Sequence, residues 1–159
     1  MPLDTDCPNC GAPMRAVTGR GYLVCGHCST IRFPEESRDG VRLLGGKSGM
    51  GCPVCARELS LGSVLDHTVL CCPNCRGILC GQAAFSRLVA LRRALHDGPR
   101  LEDRRLNPEE LERRLPCPTC GAPMDTYPYH GPGRVVIDAC AGCRLIWLDA
   151  GELDIIGRS

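Results

Sequence analysis

The sequence predicts a small β fold in three tandem copies, each too small to hold together by burial alone. Three observations lead there. Twelve of the fourteen cysteines fall into six Cys-x-x-Cys pairs, the pairs alternate with short apolar runs, and one turn sequence recurs almost unchanged. Two thiolates on one tight turn take two corners of a tetrahedron, and a hairpin brings a second such turn opposite. The expected class is therefore metal-stabilised β: three four-cysteine zinc ribbons, with short helices in the 82–115 connector and at the C-terminus.

The ligand sets follow from chain order. They are Cys7, Cys10, Cys25 and Cys28; Cys52, Cys55, Cys72 and Cys75; and Cys117, Cys120, Cys140 and Cys143. The gaps between the paired turns are 14, 16 and 19 residues, near the spacing of zinc ribbons. Three zinc ions are the expected cofactors. Iron is the alternative, since tetrahedral sulfur sites accept either metal and Cys-Pro-x-Cys-Gly turns also resemble those of rubredoxins. The chain opens Met-Pro-Leu-Asp with no basic or apolar leader, and no apolar run is long enough for a bilayer. Cytoplasmic thiols stay reduced and favour metal over disulfides.

The repeat can be read residue by residue. Cys7-Pro-Asn-Cys-Gly-Ala-Pro-Met and Cys117-Pro-Thr-Cys-Gly-Ala-Pro-Met are near copies, and Cys52-Pro-Val-Cys-Ala-Arg-Glu-Leu is a diverged one. Proline pre-sets each turn, and Gly after the second Cys allows a left-handed backbone. Short strands are expected at Tyr22-Leu-Val, Thr68-Val-Leu and Arg134-Val-Val-Ile, preceded by turn-formers such as Thr18-Gly-Arg-Gly and His130-Gly-Pro-Gly. Aligned on the second turn of each copy, Ile31, Ile78 and Ile146 share a position, as do Phe33, Cys80 and Leu148. Val24, Cys71 and Ala139 share a third. Cys71 and Cys80 are then small buried hydrophobes, against a redox pair or a spare ligand as the functional reading.

The third copy continues Trp147-Leu-Asp-Ala-Gly-Glu-Leu, where Asp149 and Glu152 fit a capping box ahead of Leu153, Ile155 and Ile156. Here the chain resembles the bacterial zinc-ribbon family named for its likeness to the ribbon of transcription factor IIB. The matching residues are Cys117, Cys120, Gly121, Cys140, Cys143, Trp147, Leu148, Asp149, Gly151, Glu152 and Leu153, with Arg144-Leu145 where that family often has glycines. The resemblance covers about 117–156 and reaches the first two copies mainly through their cysteines. It implies a fold and, by name only, transcription.

The expected division is ribbon 1 over 5–37, a Gly-rich linker over 38–51, ribbon 2 over 52–81, a helical connector over 82–115 and ribbon 3 over 116–157. Gly40, Gly45, Gly46, Gly49 and Gly51 make the linker read as flexible. Gly45-Gly-Lys-Ser is no phosphate loop, because Val41 stands where that motif needs glycine. In the connector, Ala84, Phe85, Leu88, Val89, Leu91 and Leu95 favour one helix face ending near His96, and Asn107-Pro-Glu-Glu starts a second helix. With only two Phe, three Tyr and one Trp, one large core is not expected. Independent knobs are, offering edge strands and the Trp147 surface.

Function is less legible. Four-cysteine sites leave no open place for a reacting water, and the four histidines lack His-x-x-x-His spacing, so catalysis and a small-molecule substrate are not expected. His27, inside a turn, reads as solvated. The expected partner is another protein and no membrane. The alternative is nucleic acid on the Arg-rich connector, through Arg92, Arg93, Arg104 and Arg105. Asp97, Glu102, Asp103, Glu109, Glu110 and Glu112 interleave with those arginines. Each zinc tetrathiolate carries −2, so three take the formal net charge from +1 to −5, the wrong sign for a phosphate backbone.

Overall fold

The computed structural model describes residues 5–17 and 19–159. The Met1–Asp4 opening and Thr18 of the expected first turn lie outside the described residues. Three strands, β1 (Met14–Val17), β2 (Tyr22–Cys25) and β3 (Ile31–Arg32), form an antiparallel sheet in that order. A second sheet of seven strands contains the rest. Its members are β4 (Arg42–Gly45), β5 (Ser60–Val64), β6 (His67–Cys71), β7 (Ile78–Gly81), β8 (Asp125–Pro128), β9 (Val136–Cys140) and β10 (Leu145–Leu148). They lie in the order β4-β5-β6-β7-β10-β9-β8. Three helices complete the chain: α1 (Gln82–Leu95), α2 (Pro108–Glu112) and α3 (Glu152–Gly157).

The repeat is visible in the register. Val24 lies opposite Ile31, Cys71 opposite Ile78 and Ala139 opposite Ile146, so the three hairpin-plus-strand units superpose pair for pair. They do not stay separate. Strand β7 pairs antiparallel with β10, joining Ile78 to Leu148, Leu79 to Trp147 and Cys80 to Ile146. Because Leu79 and Trp147 are equivalent positions, this junction is an internal two-fold: the third strands of the second and third units face each other about their middle residue.

This pairing overturns the picture of independent knobs. Helix α1 lays Phe85, Leu88 and Val89 into a core that also holds Val69, Cys71, Ile78, Ile137, Ile146, Leu148, Leu153 and Ile156. Aliphatic side chains from two repeats fill it, so few aromatics are needed. On the other side of the sheet Trp147 is fully buried, among Leu59, Leu79, Leu115, Met124 and the cysteines of two clusters. The expected Trp147 surface is instead an interior. Gly77 makes room for it: a β-carbon there would stand 2.1 Å from the indole.

The segment read as a flexible linker is corrected too. Val41, Leu43 and Leu44 are buried, and β4 forms the outer strand of the large sheet, with its glycines supplying turns at either end. Leu44 and Leu61 pack against Met14 and Leu23, seating the small sheet on the large one. Asp39, 2% exposed, accepts hydrogen bonds from the Gly151 and Asp154 N–H groups at 2.7 and 2.9 Å. A residue from the start of the chain thus caps the last helix. Asp149 does not: Glu152 accepts the Asp149 N–H, but the Asp149 carboxylate takes the Trp147 indole N–H and an ion pair with Arg113. The apolar face of α1 is also narrower than expected, since Leu91 and Leu95 are 39% and 67% exposed. The Asn107 cap holds, accepting from the Glu109 N–H at 3.1 Å.

Removing the distant cap isolates its worth. Asp39→Ala is expected to lower unfolding stability by about 2 kcal/mol and to speed amide exchange at Gly151 and Asp154 first. Unchanged exchange at those two amides would show that α3 is held by packing alone.

Candidate metal centres

Each cluster is built from two tight turns with one hydrogen-bonding plan. The first turn of unit 1 closes by the Gly11 N–H to the Cys7 carbonyl and the Cys7 N–H to the Ala12 carbonyl. The same pair of bonds recurs at Cys25, Cys52, Cys72 and Cys117. In all six turns the residue after the second cysteine has a left-handed backbone: Gly11, Ser29, Ala56, Arg76, Gly121 and Arg144, with φ from 54° to 74°. Only two are glycine. The other four accept a conformation that costs an L-residue roughly 1–2 kcal/mol, so something stronger than local preference closes these turns.

The sulfurs show what that is. The cysteines gather as Cys7, Cys10, Cys25 and Cys28; as Cys52, Cys55, Cys72 and Cys75; and as Cys117, Cys120, Cys140 and Cys143, with all sulfurs of a group within 4.8 Å of one another. Individual separations are 3.6 Å for Cys7–Cys28, 3.5 Å for Cys10–Cys25, 3.3 Å for Cys55–Cys72 and 3.7 Å for Cys120–Cys140. Four sulfurs about 2.3 Å from one ion at tetrahedral angles stand about 3.8 Å apart. The donor sets therefore fit a tetrahedral metal ion such as zinc, and all fourteen cysteines are free of disulfides.

Backbone N–H groups are aimed at several of the sulfurs. The His27 and Cys28 N–H groups point at Cys25 Sγ at 3.4 and 3.5 Å, the Val54 N–H at Cys52 Sγ at 3.4 Å and the Cys75 N–H at Cys72 Sγ at 3.5 Å. Thr30, through its hydroxyl and its backbone, and then Asn9 hold the Cys28 thiol down at about 5. His27 is exposed and contributes its backbone rather than its ring.

The centres differ in setting. The first has its own small core of Met14, Leu23 and Leu44, whereas the second and third share one around Trp147. Cys71 and Cys80 are buried in the core beneath α1, outside every sulfur cluster, and burial pushes both thiols up to about 12. A group protonated so firmly packs as a small apolar residue.

The four arginines singled out for nucleic acid do not converge. Arg92 pairs with Asp154 at 3.2 Å. Arg93 donates to the Ile156 carbonyl and lies over the Tyr129 ring. Arg104 and Arg105 are exposed and border a cleft that also carries Glu110, Asp149 and Glu152. Sequence reasoning missed Arg113, which ion-pairs with the fully buried Asp138 and with Asp149. Thr126 also donates to Asp138. Nothing local marks Arg113 out from its neighbours; only its position opposite β9 does.

With this geometry in place, comparison with known proteins gives one match. A family described as transcription factor zinc-finger, of the transcription factor IIB ribbon type, matches residues 116–159. That segment is the third unit, and the match supports zinc as its ion. No curated protein and no solved structure matches the chain. The other two clusters stand on their cysteine geometry. Among the described residues no helix is long and apolar enough to cross a membrane.

Two outcomes test the assignment. Cys71→Ala with Cys80→Ala is expected to keep three metal equivalents by elemental analysis, and loss of one ion would make either thiol a ligand. Cys117→Ser with Cys120→Ser is expected to remove amide protection from the second centre as well as the third, because both border Trp147. Protection confined to its wild-type pattern around Cys52–Cys75 would mean the shared core transmits nothing.

Proposed function

We propose that the chain is a tandem array of three zinc ribbons, fused into one body, that serves as a cytoplasmic protein-binding module without catalytic activity. The observation that carries this reading is the use made of the arginines. Arg92, Arg93 and Arg113 are spent on Asp154, on the Ile156 carbonyl and Tyr129, and on Asp138 with Asp149. Arg87, Arg100, Arg104, Arg105 and Arg114 stay exposed, but among the equally exposed Asp97, Glu102, Asp103, Glu109, Glu110 and Glu112, and three zinc tetrathiolates make the whole molecule acidic. Closed four-cysteine sites act through shape rather than through a bound water. Large apolar side chains meanwhile stand in solvent, Ile31 at 53%, Phe33 at 60% and Val54 at 47% exposed, which suits contact with another protein.

The second reading rests on Arg104 and Arg105, two exposed arginines of the connector that border one cleft. Fluorescence anisotropy with labelled duplex DNA, single-stranded DNA and RNA separates the two. The expected result is no binding at about 10 µM protein in physiological salt, a concentration at which non-specific binders already associate. Salt-dependent binding that is lost in Arg104→Ala with Arg105→Ala would replace the protein-binding reading with the nucleic-acid one.

A further inference from the structure

Three structurally equivalent sheet faces can be compared within this one molecule. In the second unit the row Ser60–Cys71–Ile78 runs across the sheet, and in the third the row Asp125–Ala139–Ile146. Cys71, Ile78, Ala139 and Ile146 are all buried, because α1 and α3 lie over them with Phe85, Leu88, Val89, Leu153 and Ile156. Each helix follows its unit's third strand: α1 begins directly after β7, and α3 within a few residues of β10. The matching row of the first unit is Arg15–Val24–Ile31. No helix follows β3. Pro34 comes two residues after it, and the chain turns away to Asp39 and β4.

The uncovered face has kept its apolar character. Val24 and Tyr22 are only partly buried, Ile31 and Phe33 are mostly exposed, and the Tyr22 and Phe33 rings pack at 5.4 Å. Charge at its ends is mixed. Arg15 is exposed at one end of the row; at the other the Arg42 guanidinium sits 5.4 Å over the Phe33 ring and pairs with the exposed Glu36 at 3.1 Å. With no helix over them, Ile31 and Phe33 stay more than half exposed.

We propose that this face of the first unit binds an amphipathic helix of a partner protein, one with an apolar stripe flanked by acidic residues. It rests on the protein-binding reading and assigns that reading a surface and a ligand class. The partner helix takes the place that α1 and α3 hold on the sister units. Its stripe at i, i+3 and i+4 covers Val24, Ile31 and Phe33, as Phe85, Leu88 and Val89 do within the chain. Its acidic flank meets the exposed Arg15 and competes with Glu36 for Arg42, an exchange that so exposed a pair permits. Among the described residues a second copy supplies no such helix, since the stripes of α1 and α3 are already buried and α2 is a five-residue helix with Leu111 alone to make a stripe.

The probe is the chain's own covering helix, made as a peptide. Residues 82–95 carrying Ser86→Glu, Arg92→Leu and Arg93→Glu keep the apolar stripe and place acids beside it. The control peptide has Ser86→Lys, Arg92→Leu and Arg93→Lys. Titrated into the isotope-labelled, metal-loaded full chain, the acidic peptide is expected to give saturable NMR shifts at Val24, Ile31 and Phe33. The basic peptide is expected to bind about threefold more weakly, the scale of one exposed ion pair. Phe33→Lys, at an exposed position that leaves fold and three metals intact, is expected to abolish the shifts. The proposal fails if shifts map to another surface, if Phe33→Lys leaves them unchanged, or if both peptides bind alike. It also fails if the same face shifts with protein concentration alone, which would make a second copy the occupant. A photoreactive side chain placed at Phe33 or at Val54 in cells separates the two levels. Protein cross-links from Val54 only sink this face and keep the protein-binding reading; nucleic acid recovered in place of protein sinks that reading itself.

Discussion

Tetrahedral coordination by four thiolates is the constraint from which the rest of this structure follows. It demands that two tight turns face each other at a fixed separation, and a hairpin with a third strand is a short way to satisfy that demand. The backbone yields to it. Ser29, Ala56, Arg76 and Arg144 take up left-handed conformations that side-chain-bearing residues avoid. Structural zinc contributes on the order of 10 kcal/mol or more of apparent binding energy in comparable sites, far above the cost of those turns. Strain that would weaken an ordinary hairpin is therefore tolerated four times over.

Metal closure also frees the strands to do something besides hold their own unit together. The third strand of each unit is an edge, with unpaired backbone groups on one side. The second and third units resolve their edges by pairing with each other through β7 and β10. That junction creates two interiors at once, an aliphatic one under α1 and α3 and one around Trp147 between two metal centres. Gly77 is fixed by the second of these, since any side chain there meets the indole. The first unit has neither arrangement. Among the described residues its sheet carries no covering helix, and it is held to the body by Leu44 and Leu61.

Several charges in this chain are architectural. Asp138 is fully buried and is held by Arg113 and Thr126, and Asp39 is buried against the backbone of α3. A buried carboxylate is tolerable only when such donors replace water. The pairs tie distant stretches of chain together: Asp39 to Gly151, Arg92 to Asp154, Arg113 to Asp138. The connector reads as a charged, solvated segment by composition, yet several of its charges are fasteners.

The sequence by itself determined how the cysteines group and the strand order within each unit, because Cys-x-x-Cys spacing and the repeat are local properties. It also aligned Ile31 with Ile78 and Ile146, and Val24 with Cys71 and Ala139, and the register keeps those matches. Only the tertiary structure decided how the units relate. The β7–β10 junction joins strands about seventy residues apart and has no local signature, so Trp147 read as surface and lies inside. The glycines of 38–51 read as flexibility and serve as turns around a strand, because Val41, Leu43 and Leu44 gain more from burial than glycine loses in entropy. Asp39 shows the same limit most plainly. A capping carboxylate was expected near the helix it caps, and space rather than sequence brought this one to α3.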